Sequence, residues 1–360
     1  MNEILTLLTN LVASESTTSD MEKVNHATDI MKTFLDNHNI HTILEQVNGR
    51  NVLYASNCPN ETPDLLLNSH LDTVPAEQEQ YRVKIHDGKI YGRGTADCLG
   101  NAVCIAKILL SAPKGTKIGA VFSTDEETGG STTGYMADKG YTANYCILVL
   151  DNSEQSIIYA QKGVLVVELT ACGQAGHAAY PWLCDNPIDK LMLGYTNFLK
   201  TWINPKEDAD WKNSLAACMI SAGNANNQIP GTASMTLNFR FTHNDDKDEI
   251  LKMLREKTGC ETRVVELVPP VSFDSNLPQF QVLAEAMNHV SHGRKTYPLE
   301  RLCGATDSRH WKKTGIPVAV AGILGGNIHA QDEYAELESF DTLEQAVLRV
   351  AVHAAEIRGN

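Results

Sequence analysis

Apolar residues recur along this chain at two spacings, and the spacing changes where the architecture should change. Ile4, Leu7, Leu8 and Leu11 stand at helical intervals within Glu3–Val12, and Val24, Ala27, Ile30, Met31, Phe34 and Leu35 mark one face of a second helix over Glu22–Asn37. "HTILEQV", "NVLYAS" and "DLLLNSH" then read as strands. Asn101–Ser111 reads as a buried helix, and strands at Ile118–Ser123 and Tyr145–Asp151 enclose a helical stretch over Thr132–Lys139. This alternation predicts an α/β fold, with a mostly parallel sheet flanked by helices on both faces.

The pattern changes near Gln161. "GVLVVELTACG" alternates and is followed by a helix from Pro187 to about Trp202. Next come "SLAACMISAG", "GTASMTLNFRFT", a helix over Asp246–Thr258 and "ETRVVELVPPV". These predict a four-strand, two-helix α+β unit of about 110 residues, a normal size for a small domain. After Pro278 the first pattern returns, with a helix over Gln279–Val290, a strand at Ile316–Ile323 and a helix over Leu343–Arg358. The chain is therefore expected to form one α/β domain from residues 1–162 and 273–360, with residues 163–272 inserted as a second domain.

Bulk properties narrow the classes. A chain of 360 residues exceeds one ordinary core, which agrees with two domains. A net charge of -14 without clustered Lys and Arg argues against a nucleic-acid partner. The same acidity can draw cations towards a cleft. Nine irregularly spaced cysteines, with no C-x-x-C pair, fit free thiols in a reducing compartment. The opening "MNEILTLLTN" lacks the basic start of a signal peptide, and no apolar run approaches the roughly 20 residues that span a bilayer. The expectation is a cytoplasmic protein with no membrane partner.

The candidate chemistry lies just past the apolar runs. His70, Asp97, Glu127, Asp151 and His329 each follow one, and each can hold a metal. In an open α/β sheet, ligands bind outside the carboxyl ends of the strands. Each residue also has an ordinary explanation. His70-Leu71-Asp72 is a common tripeptide, Asp97 precedes a helix it could cap, Glu126-Glu127 could be a solvated loop, Asp151 could start a turn, and His329 could be a surface side chain. All five explanations would have to hold at once. Together the residues describe a cup of nitrogen and oxygen donors for two zinc-like cations. Zinc is the first expectation, and cobalt or manganese would suit the same ligands.

The stretches "SHLDTVP", "YGRGTADCLG", "STDEETGG", "GHAAYP", "NNQIPGTASMTLNFRF", "GATDSR" and "NIHAQDEY" resemble the co-catalytic di-zinc peptidases and amidohydrolases. That family includes aminoacylase, carboxypeptidase G, acetylornithine deacetylase, succinyl-diaminopimelate desuccinylase and peptidase T. The resemblance implies that Asp97 bridges both metals. It assigns His70 and Asp151 to the first metal and Glu127 and His329 to the second. Asp72 would support His70, Glu126 would be the general base, and the peptide bond after Asp97 is often cis. It further implies that His177 reaches the active site of a partner subunit, so that the inserted domain serves as lid and homodimer interface. Asn227 and Thr306 would lie near substrate, and Arg240 is a candidate for reading a free carboxylate, since Arg binds carboxylates bidentately.

The implied reaction is hydrolysis of an amide bond in a small peptide or N-acyl amino acid. Two metals can share a water and lower its pKa to give a bridging hydroxide. Glu126, spared from metal binding by its neighbour Glu127, can take the proton and pass it to the leaving amine. Leu99 stands where many relatives have Lys. Asp151 stands where deacylases commonly have Glu and di- and tripeptidases have Asp, whereas the chain's length and "NNQIPG…LNFRF" are closer to the deacylases. An aminopeptidase-type peptidase is therefore the main alternative. A metal-dependent peptide-binding dimer is a second one, disfavoured by the spare carboxylate of Glu126. A thiol hydrolase using Cys98 lacks a His partner and an electropositive setting.

Overall fold

The computed structural model describes residues 2–207 and 209–359. In chain order, helices α1 (Asn2–Ala13) and α2 (Met21–Asn37) lead into strands β1 (His41–Val47), β2 (Arg50–Ser56) and β3 (Leu65–His70). Then come α3 (Leu99–Ser111), β4 (Ile118–Ser123), α4 (Ser131–Asp138) and β5 (Cys146–Leu150). The second pattern contains β6 (Gly163–Cys172), α5 (Pro187–Leu199), β7 (Ser214–Ala222), β8 (Thr232–Phe241), α6 (Asp246–Thr258) and β9 (Glu261–Val268). The return adds α7 (Pro278–Val290), α8 (Ser308–Trp311), β10 (Val318–Ala321) and α9 (Leu337–Gly359).

The chain divides into two compact units. One comprises Met1–Ala160, Ser272–Arg301 and Thr306–Asn360, and the other Gln161–Val271 and Leu302–Ala305. The segment at Leu302, which the sequence pattern does not assign to the second unit, is tied to it by the Lys162 N–H, which donates to the Leu302 carbonyl at 3.1 Å.

In the first unit the sheet runs β1-β2-β4-β3-β5-β10 through its centre. The pairs β4–β3, β3–β5 and β5–β10 are parallel, and β1–β2 and β2–β4 are antiparallel. The central strands "LLLNSH", "IGAVFS" and "CILVL" are buried along their whole length, as expected of strands covered on both faces. Register brings their carboxyl ends to one edge: His70 lies opposite Ser123, and Leu150 opposite Ala321. Leu8, Leu11, Met31, Leu67, Ile105, Phe122, Leu148 and Phe340 belong to the core.

The second unit is the α+β arrangement that the alternation predicts. Its sheet order is β7-β8-β6-β9, antiparallel throughout. Leu165, Val167, Leu169, Leu237 and Phe239 form a core with Leu191 and Phe198 of α5 and Ile250 and Leu254 of α6. Strand β7 is an edge, and Met219 and Ile220 stand exposed on it.

Two local expectations change. The run before Asp97, "KIYGRGTA", is not a strand of the main sheet. Only Lys89–Tyr91 is extended, in a separate small sheet, and Asp97 sits in the turn before α3. His329 likewise follows the short strand Gly325–Gly326 rather than β10 directly. Glycine-rich backbone replaces strand in both places, and at Gly100 a Cβ would lie 2.0 Å from the Thr95 carbonyl oxygen.

Candidate active site

His70 is the last residue of β3, and its environment orients the ring. Nδ1 donates to the Asp72 carbonyl oxygen at 2.9 Å, which leaves Nε2 facing Asp97 Oδ1 at 3.0 Å and Asp151 Oδ1 at 3.7 Å. Asp151 immediately follows β5 and is fastened by its N–H to the Ala321 carbonyl at 3.0 Å. Asp97 does not cap α3. Cys98 is the capping residue, makes no side-chain cap, and is joined to Asp97 by a cis peptide. The Asp97 carboxylate instead spans two imidazoles, with Oδ2 3.1 Å from His329 Nε2. Glu127 Oε1 lies 3.3 Å from the same His329 nitrogen. Two donor groups result, His70-Asp97-Cys98-Asp151 and Asp97-Glu127-His329, and Asp97 is common to both.

The Cys98 thiol turns to the Leu150 carbonyl at 3.1 Å, and burial pushes its pKa up to about 12. It is therefore a poor nucleophile, and the thiol mechanism loses its support.

Asp72 does more than face His70. It is fully buried, and it accepts the N–H of Glu126 at 3.2 Å, the N–H of Glu127 at 3.3 Å and the Thr18 hydroxyl at 2.8 Å. One carboxylate thus orients the turn that carries both glutamates. Behind that turn, buried Asp307 accepts from Ser123 Oγ at 2.8 Å and abuts Gly130, whose φ of 65° and lack of a side chain allow the approach. Thr306 is buried beside it and bonded to Ser308 Oγ at 3.1 Å.

The electrostatics describe a site with excess negative charge. Burial pushes Glu127 up to about 7. Burial, reinforced by Asp151 and Asp307, holds Glu126 well above the ordinary carboxylate range, and burial also raises Asp151. Burial opposes ionisation of Asp97, but His329 and His70 outweigh it and hold the carboxyl low. The Asp97 hydrogen bond lifts His329 to about 9. Opposing these acids are the two histidines and Arg309, whose largely covered side chain brings Nη2 to 3.6 Å from Glu126 Oε1. Divalent cations would complete this charge balance, and a nitrogen-and-oxygen donor set suits zinc, manganese or cobalt.

In the second unit, His177 is exposed in a short strand paired with Gln228, and the Ala178 N–H donates to the Asn227 carbonyl at 2.9 Å. His177 and Asn227 are therefore neighbours. The Ala179 N–H donates to His177 Nδ1 at 3.0 Å, which leaves the ring proton on Nε2 as an outward donor. Arg240 is half-buried near the end of β8, in register with Val164 and Ser214.

Sequence reasoning placed Asp307, with Thr306 and Ser308, near the substrate, but did not single out Arg309, Arg93 or Glu333. These three lie inside the motifs "GATDSR", "YGRGTAD" and "NIHAQDEY", and charged residues at fixed places in the loops were the only signal.

A mostly parallel sheet with acids and imidazoles gathered at its carboxyl edge, together with a separate antiparallel unit, defines a metallohydrolase of the α/β class. Residues 66–353 match peptidase family M20/M25/M40, and the chain belongs to that family. It is 26% identical over 309 residues to the succinyl-diaminopimelate desuccinylase of Gluconobacter oxydans, across 79% of this chain and 80% of that one. Its fold matches aminopeptidase PepT of Bacillus cereus with a TM-score of 0.80 at 17% identity, over 98% of each chain. It matches a family M20 metallo-carboxypeptidase of Sulfolobus solfataricus with a TM-score of 0.81 at 17% identity, over 99% and 100% of the two chains. Among the described residues no helix is long and apolar enough to cross a membrane.

Proposed function

We propose that the protein hydrolyses an amide bond in a small peptide or N-acyl amino acid. Two divalent cations, zinc first, would be held by His70, Asp97 and Asp151 and by Asp97, Glu127 and His329. The observation that carries this reading is the division of one carboxylate: Asp97 Oδ1 faces His70 Nε2 at 3.0 Å and Oδ2 faces His329 Nε2 at 3.1 Å. When bound, such cations supply Lewis acidity and make a water acidic near neutral pH.

The chain's own groups do the rest. Glu126 is not in either donor group, is nearly buried, and has a raised pKa, as befits a base that takes a proton from water and returns it to the departing amine. Asp72 holds the backbone N–H groups of both Glu126 and Glu127. His177, with its proton on Nε2, is suited to donate to the developing oxyanion in the active site of a partner copy, and Arg240 to hold a free carboxylate, with Asn227 and Thr306 as further substrate contacts. The named relatives include a desuccinylase, an aminopeptidase and a carboxypeptidase, which supports amide hydrolysis as the common chemistry. Asp151 in place of Glu favours the peptidase alternative.

Strand β7 supports a homodimer through the second unit. "SLAACMISA" is an exposed edge with no charge and no proline to block pairing with a second copy.

The test is turnover of a panel of dipeptides, tripeptides and N-acyl amino acids with added zinc, cobalt or manganese. Glu126→Gln should abolish turnover and retain full metal content. Failure of the loaded wild-type protein to cleave any small amide would replace the enzyme by the peptide-binding alternative.

A further inference from the structure

Two loops far apart in the chain, one carrying Asp97 and the other His329, are joined by a buried ion pair. Arg93 Nη1 lies 2.6 Å from Glu333 Oε2, across a separation of 240 residues, and both side chains are almost wholly buried. Glu333 Oε1 accepts the N–H of Ala96 at 3.0 Å and of Asp97 at 3.1 Å. Arg93 Nη2 reaches the carbonyls of His329 at 3.2 Å and Ala330 at 3.3 Å. The Gly92 N–H donates to the Glu333 carbonyl at 3.1 Å and closes the arrangement.

Stability alone is a poor explanation for this pair. Buried ion pairs gain little over apolar packing once desolvation is counted, and Arg93 Nε has no partner among the described residues. The remaining hydrogen bonds of the pair all go to the two loops. His329 also sits at φ 63°, in the left-handed region that a non-glycine residue occupies only when its surroundings hold it there. The contact from Arg93 to its carbonyl is such a hold.

We propose that Arg93 and Glu333 are positioning residues that set the separation of Asp97 and His329, and so the affinity of the Asp97-Glu127-His329 group for its cation. The inference rests on the metal reading given above. It also assigns the two groups different sensitivities. Arg93→Lys keeps a charge beside Glu333, but one ammonium cannot match the guanidinium fork, so the His329 carbonyl is released. His70 and Asp151 touch neither residue, so their group should be spared. Glu333→Gln is harsher. Its amide offers one oxygen where two sets of donors, Arg93 and the Ala96 and Asp97 N–H groups, each require one, and Asp97 serves both groups.

The experiment is zinc titration of the metal-stripped full-length protein, with stoichiometry and both stepwise dissociation constants read by competition with a chromophoric chelator. Cobalt spectra would report each group's geometry. Wild type should bind two ions. Arg93→Lys should weaken one step by about 10- to 100-fold, the usual cost of losing a residue that orients a ligand, and leave the other within twofold. Glu333→Gln should weaken both. Two unchanged constants in Arg93→Lys, or equal weakening of both in step with a lowered melting temperature, would overturn the proposal. Wild type that binds no zinc would instead overturn the metal reading itself. A measurement on wild type covers the case in which the variants do not fold. Without metal, the Ala96 and Asp97 amides should already be protected from hydrogen exchange, and rapid exchange there would reject a preformed hold.

Discussion

Asp72→Asn isolates the device that aims the two adjacent glutamates. The carboxylate is buried, with Oδ1 accepting the Glu126 N–H at 3.2 Å and Oδ2 the Glu127 N–H at 3.3 Å. Asparagine has the same shape but replaces one acceptor oxygen by a donor. Whichever way its amide is turned, one of the two backbone N–H groups then faces another N–H. An unsatisfied buried donor costs about 1–3 kcal/mol, and loss of charge from the surviving bond costs about 1 kcal/mol more. The turn should be destabilised by about 2–4 kcal/mol. If that whole amount is expressed as misplacement of Glu126, kcat falls about 30- to 1,000-fold, at 1.36 kcal/mol per decade. The assay is steady-state kinetics on the best substrate of the panel at saturating zinc, with metal content measured on the same sample and folding checked by near-UV circular dichroism. The expected result is a large loss in kcat with KM little changed. A folded, fully loaded variant within threefold of wild-type kcat would refute the view that Asp72 positions the base.

Other outcomes follow from the same geometry. Glu127, raised to about 7, and His329, raised to about 9, are both stabilising when protonated. The metal-free protein should therefore lose stability as pH rises, through about 7 for Glu127 and about 9 for His329. Zinc requires these ligands deprotonated, so the gain in melting temperature on adding zinc should grow over the same range; an equal gain at pH 5.5 and 8.5 would contradict it. Gly130→Ala places a Cβ 2.0 Å from Asp307 Oδ1 at a φ of 65°, and should cost about 1–3 kcal/mol by denaturant midpoint, with reduced turnover. Arg240→Ala should raise KM about 10- to 100-fold for substrates with a free carboxylate, and an unchanged KM would remove it as the carboxylate reader. Ile220→Lys should shift the protein from dimer to monomer in light scattering, by placing a charge on the exposed β7 edge.

What the sequence makes legible here follows from burial. "LLL" and "CILVL" are apolar runs in strands buried throughout, so the candidate metal-binding side chains that come just after them, His70 and Asp151, stand out as strand-end residues. The second unit is legible because β6 and β8 alternate cleanly between its two faces. Asp97 and His329 are identifiable as candidates, but the loops that carry them are not, because glycine-rich turns have no periodicity to read. The first turn of α9 is missed for a related reason: Glu338, Ser339 and Asp341 dilute the short stripe that Leu337 and Phe340 make before Leu343. Arg93 and Glu333 are hidden most completely. Each looks like an ordinary charged loop residue, and only tertiary structure brings them together.

The order in which the donors occur has a consequence for synthesis. His70, Asp97, Glu127 and Asp151 leave the ribosome early, whereas β10, the neighbour of β5 in the sheet, and His329 emerge only after the whole of the second unit has been translated. A nascent or truncated chain ending before residue 329 holds four of the five donors and lacks the last. On the proposed ligand set, the second cation site would therefore be completed only after the second unit and β10 have been made.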